Sequence, residues 1–265
     1  MVVIRRKLFK VLPYTTVFFP ADGAIEEIMG QVGAGHLARF FWTPAEYQVR
    51  GRVIRRQGAA TVCVALRNSL DELWRAIAKN ARNEIRGAER LGDRLHIARN
   101  EPQTASDFLS LYESLSRVKD GVAPIDMSVL QRYAQHADIF VAYLDQRPMC
   151  SHVYLRDATL ARARLLYSAS RRLEDQPTSR ICGQLNRLLH WRVMTVYRDD
   201  GLETYDFGGI RLDPNDGIAR FKTSFGGAVR KEFTYLWAGS SSVGAVARCF
   251  LENVMNRRSY DAPGA

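Results

Sequence analysis

"YDFGGIRLDPNDGIARFKTSFGG", Tyr205 to Gly227, is the stretch on which the fold turns. A β-prone run ends on Gly208 and Gly209, which permit φ > 0 or close approach by a ligand. The spacing then predicts a helix from about Asp216 to Ser224, and the strand "VRKEFTYLWA" follows the double glycine Gly226-Gly227. Lys222 sits in this helix between Phe221 and Phe225, in a chain where arginine supplies most of the basic charge.

Working back from that stretch, a long helical pattern covers about Ser179 to Arg198. It is preceded by three strand patterns, "ADIFVAYLD", "MCSHVYLRD" and "TLARARLLYSAS", the first two joined by a turn at "QRP". Further upstream lie helical patterns at Ala105 to Val118 and Ser128 to His136, and a strand at "RLHIARN". From Ser69 to Gly92 the residues Leu70, Leu73, Trp74, Ile77, Ala81, Ile85 and Ala88 recur at spacings of three and four, which predicts one helix capped by Ser69 or Asn68. Its other face carries Arg75, Lys79, Arg82, Arg86 and Arg90, either a solvated surface or a strip for docking phosphates. Residues 1 to about 68 read as strand-rich, with "GAGHLARFFW" (Gly33 to Trp42) as a turn leading into a short helix. A last helix is expected from about Val243 to Met255. Strands and late-inserted helices together predict a mixed α/β fold.

The 265 residues, 46% apolar, suffice for one large domain or two unequal ones. Lysine and arginine number 38 against 28 acidic residues, a net charge of +10. That balance favours a polyanionic partner: RNA, coenzyme A, a nucleotide-linked substrate or an anionic membrane face. Cys63, Cys150, Cys182 and Cys249 are scattered without zinc-ligand spacing or a disulfide pattern, so no metal is expected and a reducing cytoplasm fits best. No run approaches the roughly 20 apolar residues that span a bilayer, which leaves peripheral contact at the inner membrane face as the expected form of any membrane association.

"YDFGGI" followed by "DGIARFKTSFGG", together with "LWRAIAKNARNEIRGAERLG", resembles the Fem-type aminoacyltransferases, which build peptidoglycan side chains and share the GNAT acyltransferase fold. The resemblance implies a reduced GNAT-like N-terminal part with the basic helix, residues 1–100, and a GNAT-like catalytic domain, residues 101–265. It implies an N-acyltransferase moving an acyl or aminoacyl group from acyl-CoA, an acyl carrier or aminoacyl-tRNA to an amine of a cell-envelope, amino-sugar or small-molecule acceptor, with no tightly bound cofactor. A non-catalytic polyanion-binding protein on an inactivated GNAT-like fold is the alternative.

The resemblance also implies that Phe221 and Lys222 lie beside the reacting carbonyl, their joining amide and the lysine ammonium stabilising the oxyanion. Asp206 could orient the amine, hold the Lys222 loop or cap the following turn. "RICGQL" partly matches the pyrophosphate loop of acyl-CoA enzymes, making Arg180 and Gly183 donor-binding candidates beside Lys79, Arg82 and Arg86. His152, expected to share a face with Tyr154, could deprotonate the acceptor amine or serve as a hydrogen-bonded structural residue. In a regular strand Arg162 and Arg164 share a face with Leu166, Ser168 and Ser170, which could line an acceptor groove with Tyr205.

Overall fold

The computed structural model describes residues 1–8, 12–21, 23–31, 36–44, 52–213 and 215–238, with only the backbone for 52–55. The expected helix at Val243 to Met255 and the glycines of "GAGHLARFFW" lie outside these residues. The described residues form two compact units, one built from residues up to Thr61, Gly209–Arg211 and 229–238, the other from Val62–Gly208 and 212–228.

In the first unit, β1 (Val2–Leu8) and β2 (Leu12–Phe18) form an antiparallel pair. Strand β2 then runs parallel to β3 (Leu37–Thr43), and the crossover between them carries helix α1 (Ala24–Gln31). The strand-rich reading passed over α1, which has Glu26 and Glu27 in its first turn, the end at which the helix dipole favours negative charge. The short helix expected in "GAGHLARFFW" is instead strand: Leu37, Ala38, Phe40, Phe41 and Trp42 are buried on both faces, as suits a parallel strand. Tyr235 and Trp237, from the strand that pairs with β3, join Val17, Ile25, Ile28, Ala38 and Phe40 in the core.

The chain enters the second unit within β4 (Arg52–Ala65). The helix expected as one piece is two, α2 (Leu70–Ala76) and α3 (Lys79–Glu89). Ser69 and Glu72 form the capping box that starts α2, and Ile77 breaks the run by adopting extended geometry. The break frees the Ala78 amide to donate to the Ser224 carbonyl at 2.7 Å. Strands β5 (Leu95–Arg99), β6 (Ala137–Leu144), β7 (Arg147–Asp157) and β8 (Arg162–Ser170) form an antiparallel meander. Between β5 and β6 come α4 (Thr104–Val118) and the short α5 (Met127–Gln131).

Helix α6 (Gln176–Asp199) returns the chain to β9 (Thr204–Ile210), which runs parallel to β8. Then come α7 (Gly217–Thr223) and β10 (Ala228–Ala238). The two faces of β7 are packed differently. Val153 and Ala169 join Phe108 and Leu111 of α4, whereas His152 and Tyr154 face α6.

Candidate active site

A bulge shapes the site. Val153 pairs with Tyr167 but Tyr154 pairs with Leu165, so Leu166 is an extra residue in β8. Arg162 and Arg164 therefore share a face with Val153 and Leu155, while Ser168 and Ser170 lie opposite His152 and Cys150 on the other. This corrects the face expected of a regular strand. The β8–β9 ladder ends at Arg164 and Asp206, just before the bulge.

Tyr205, Asp206 and Phe207 alternate along β9. Tyr205 and Phe207 meet His190 of α6, while Asp206 turns to the opposite face. The Asp206 carboxylate is fully buried and accepts from Arg162 Nη2 at 2.8 Å and Arg164 Nη1 at 3.0 Å. Its second oxygen accepts from the Gly208 amide at 2.8 Å, the turn-capping role foreseen for it. Gly208 has φ +76°, and a Cβ there would lie 2.9 Å from the Leu165 carbonyl oxygen and 3.8 Å from Lys222 Nζ. Only glycine lets β9 pass between the bulge and that lysine.

Lys222 is 8% exposed, on α7, whose N-terminus is capped by Asp216 accepting from the Ile218 amide. Because Lys222 is helical, its backbone amide points toward the carbonyl four residues earlier and is not turned outward. The Phe221–Lys222 amide expected to face a reacting carbonyl is thus turned into the helix. Phe221 and Phe225 pack on the His190 ring, each with centroids 5.5 Å from it. Gly226 and Gly227 lock α7 in place: a Cβ on Gly226 would meet Ala76 Cβ at 2.6 Å, and one on Gly227 would meet Val62 Cγ1 at the same distance.

Behind this wall runs a buried polar chain. His152 Nε2 lies 2.7 Å from Asn186 Oδ1 and His152 Nδ1 lies 2.9 Å from Tyr154 Oη. Tyr154 Oη lies 2.6 Å from Tyr205 Oη, which lies 2.6 Å from His190 Nδ1. Burial pushes His152 down to about 4, and burial with the charges of His152, Lys222 and Arg187 pushes His190 well below the ordinary imidazole value. Burial raises both tyrosines. All four side chains are therefore neutral at pH 7.

The donor candidates are dispersed. Lys79, Arg86 and Arg180 are exposed, Arg86 lying over the Trp74 ring at 5.4 Å. Arg82 is turned inward and caps α2, donating to the carbonyls of Arg75 at 2.9 Å and Ile77 at 2.7 Å. Arg180 and Gly183 lie in the second and third turns of α6, because the helix begins at Gln176 and not at Ser179. Amides at those positions serve the helix itself. At the true N-terminus Asp175 caps the Thr178 amide at 2.7 Å, its carbonyl accepts from Ser179 at 2.8 Å, and Pro177 has no N–H. The pyrophosphate cradle expected in "RICGQL" is thus not formed there.

Sequence reasoning missed Asn186, Arg187 and His190. Asn186 and His190 are four residues apart and share one helical face, a spacing that was legible as "NRLLH". Arg187 lies over the Phe221 ring at 5.0 Å and donates to the Gly183 carbonyl at 3.0 Å. Among the described residues no three metal-ligating side chains group together.

Among solved structures, FemX aligns with a TM-score of 0.66 at 13% identity, over 93% of this chain and 86% of that one. L-PGS from Bacillus licheniformis aligns with a TM-score of 0.57 at 13% identity, over 97% and 86%. No curated protein sequence matches the chain. These likenesses give the fold, a Fem-like one. Residues 75–223, from the end of α2 through α7 and more than half of the chain, match the acetyltransferase (GNAT) domain family, and the chain belongs to that family as an acyltransferase.

Proposed function

We propose that this acyltransferase moves an aminoacyl group from aminoacyl-tRNA to the amine of a cell-envelope precursor or related small molecule, in the cytoplasm at the inner membrane face. The observation that carries the reading is Lys222: a buried lysine beside Gly208, near the end of the β8–β9 ladder. A compact ammonium there suits the negative charge that develops on the carbonyl oxygen as an amine attacks. In this scheme the amine adds to the ester carbonyl, the tetrahedral intermediate collapses, and the tRNA hydroxyl leaves with a proton.

The filled N-terminus of α6 counts against a coenzyme A pyrophosphate there, and the exposed Arg75, Lys79, Arg86 and Arg90 suit a polyphosphate backbone. The name lysylphosphatidylglycerol, carried by a structural relative from Agrobacterium fabrum, denotes an aminoacylated product and supports the same class of transfer. The buried thiols of Cys63, Cys150 and Cys182 accord with a reducing compartment.

Purified protein incubated with candidate amines and either charged tRNA or acyl-CoA tests the reading. The expected result is consumption of the charged tRNA and a loss of about 100- to 1000-fold in Lys222→Ala, the scale on which oxyanion donors act. Consumption of acyl-CoA alone overturns the donor, and full activity in Lys222→Ala overturns the site.

A further inference from the structure

The buried chain behind Phe221 has one consistent assignment of protons. Asn186 Oδ1 can only accept, so His152 Nε2 carries a hydrogen. A neutral His152 then has a bare Nδ1, and Tyr154 must donate its single hydroxyl proton to it. With that proton committed, Tyr154 accepts from Tyr205, and Tyr205 in turn accepts from His190 Nδ1–H. His190 is neutral, so its Nε2 is bare. The two histidines, with ring centroids 4.2 Å apart, hold opposite tautomers, and the chain ends in a single unprotonated nitrogen on the residue that packs against Phe221.

We propose that His190 Nε2 accepts the proton released by the attacking amine, and that Tyr205 and Tyr154 relay a proton to His152. The inference rests on the reading of Phe221 and Lys222 as the reacting centre. As the amine nitrogen bonds to the carbonyl carbon, it loses a proton to His190 Nε2. The Nδ1 proton of His190 passes to Tyr205, the Tyr205 proton to Tyr154, and the Tyr154 proton to His152 Nδ1. His190 is then neutral in its other tautomer, both tyrosines stay neutral, and the positive charge rests on His152, whose Nε2–H points to the Asn186 carbonyl. When the intermediate collapses the transfers run back, and His190 Nε2 gives the proton to the departing tRNA oxygen. No charged tyrosinate needs to persist in the apolar interior, where it would be costly.

The direction of travel follows from the charges that face each group. Burial weighs most against a proton on His190, and the charges of His152, Lys222 and Arg187 add to it, so a proton held there stands against the Lys222 and Arg187 cations. For His152 burial is the main cost and the Asn186 hydrogen bond opposes it. Tyr154 packs edge-on against Tyr197, and Tyr205 feels the negative charge of Asp206. Moving the proton along the chain therefore leaves the Lys222 ammonium as the positive charge at the oxyanion while the attacking nitrogen is kept deprotonated.

Nitrogen-15 spectra of the intact labelled protein at pH 7 test the assignment without a substrate, with the histidines identified through His152→Gln and His190→Gln. Protonated Nδ1 on His190 and protonated Nε2 on His152 is the expected pattern. The same tautomer on both rings, or a charged ring on either, overturns the relay. In turnover, Tyr205→Phe should lower kcat about 10- to 100-fold, within the range for lost acid–base assistance, with KM little changed and the solvent isotope effect altered. A Tyr205→Phe variant with wild-type kcat overturns the relay but leaves the transferase reading standing if Lys222→Ala is still inactive. Wild-type protein that transfers nothing counts against the transferase reading, and the spectra then decide the tautomers alone. Should Tyr205→Phe fail to fold, Tyr154→Phe carries the same kinetic test.

Discussion

Tyr205 and Asp206 are adjacent on β9, and the two faces they enter are built on different physics. On the α6 face Tyr205 joins Tyr154, His152, His190 and Asn186 in a chain of neutral groups. On the other, Asp206 meets two arginines in a fixed ionic cluster. A neutral chain can pass a proton because each of its two tyrosines and two histidines can both donate and accept. A carboxylate held between guanidinium groups does not, and its strength is geometric: it fixes the end of the β8–β9 ladder and, through the Gly208 amide, the turn beside Lys222. One face is suited to moving charge and the other to holding the backbone still.

The sharpest way to break that contrast is Asp206→Ala. It leaves Arg164, 2% exposed, and Arg162 with the charge of their shared partner gone, and removing one member of such a cluster costs about 3–5 kcal/mol. Urea unfolding should show a loss on that scale. A loss below about 1 kcal/mol would mean that Asp206 is not the lock. An Asp206→Asn protein that keeps its stability but loses turnover would move Asp206 from the scaffold to the orientation of the amine.

The neutral face is broken by acid instead. Burial holds His152 at about 4, below its unfolded value near 6.5, and burial with the neighbouring charges holds His190 well below that same unfolded value. The unfolded chain therefore binds more protons than the native one between these values. The stability from the two neutral rings is complete above about pH 6.5 and drains as pH falls toward 4, at up to about 1.4 kcal/mol per pH unit for each histidine. His152→Gln should flatten that slope. A stability curve level from pH 7 to 4 in the wild type would show that neither ring is held neutral.

Sequence pattern revealed the meander and the helices around it because alternation in "ADIFVAYLD" and "MCSHVYLRD" and the three–four spacing in α4 and α6 are local signals. It revealed less where a distant partner decides. Ile77 leaves the helix so that Ala78 can reach Ser224, and Leu37 to Trp42 become strand because β2 and β10 flank them. The site divides in the same way. Asp206, Lys222, Tyr205 and His152 stand out by type and setting. Asn186 and His190 read as ordinary positions of an amphipathic helix until β7 and β9 bring His152 and Tyr205 to them. The bulge at Leu166, which separates the arginines from the serines, has no local mark in "RARLLYSAS".

The smallest expected effect also separates the two arginines that the regular-strand reading treated alike. Arg162 is 20% exposed in its side chain and Arg164 is 2%. Arg162→Ala removes one donor to Asp206 but leaves it the Arg164 and Gly208 bonds, and water can reach the vacated edge. The cost expected is about 1–2 kcal/mol, the low end for one hydrogen bond to a charged group, because Arg162 is partly exposed. A double-mutant cycle with Asp206→Ala should return a coupling of about 1 kcal/mol, as for residues in direct contact. Coupling near zero would assign the whole grip on Asp206 to Arg164. Coupling above about 3 kcal/mol, the top of the range for contacting residues, would show that the two arginines hold the carboxylate as one unit and that partial exposure has not weakened Arg162.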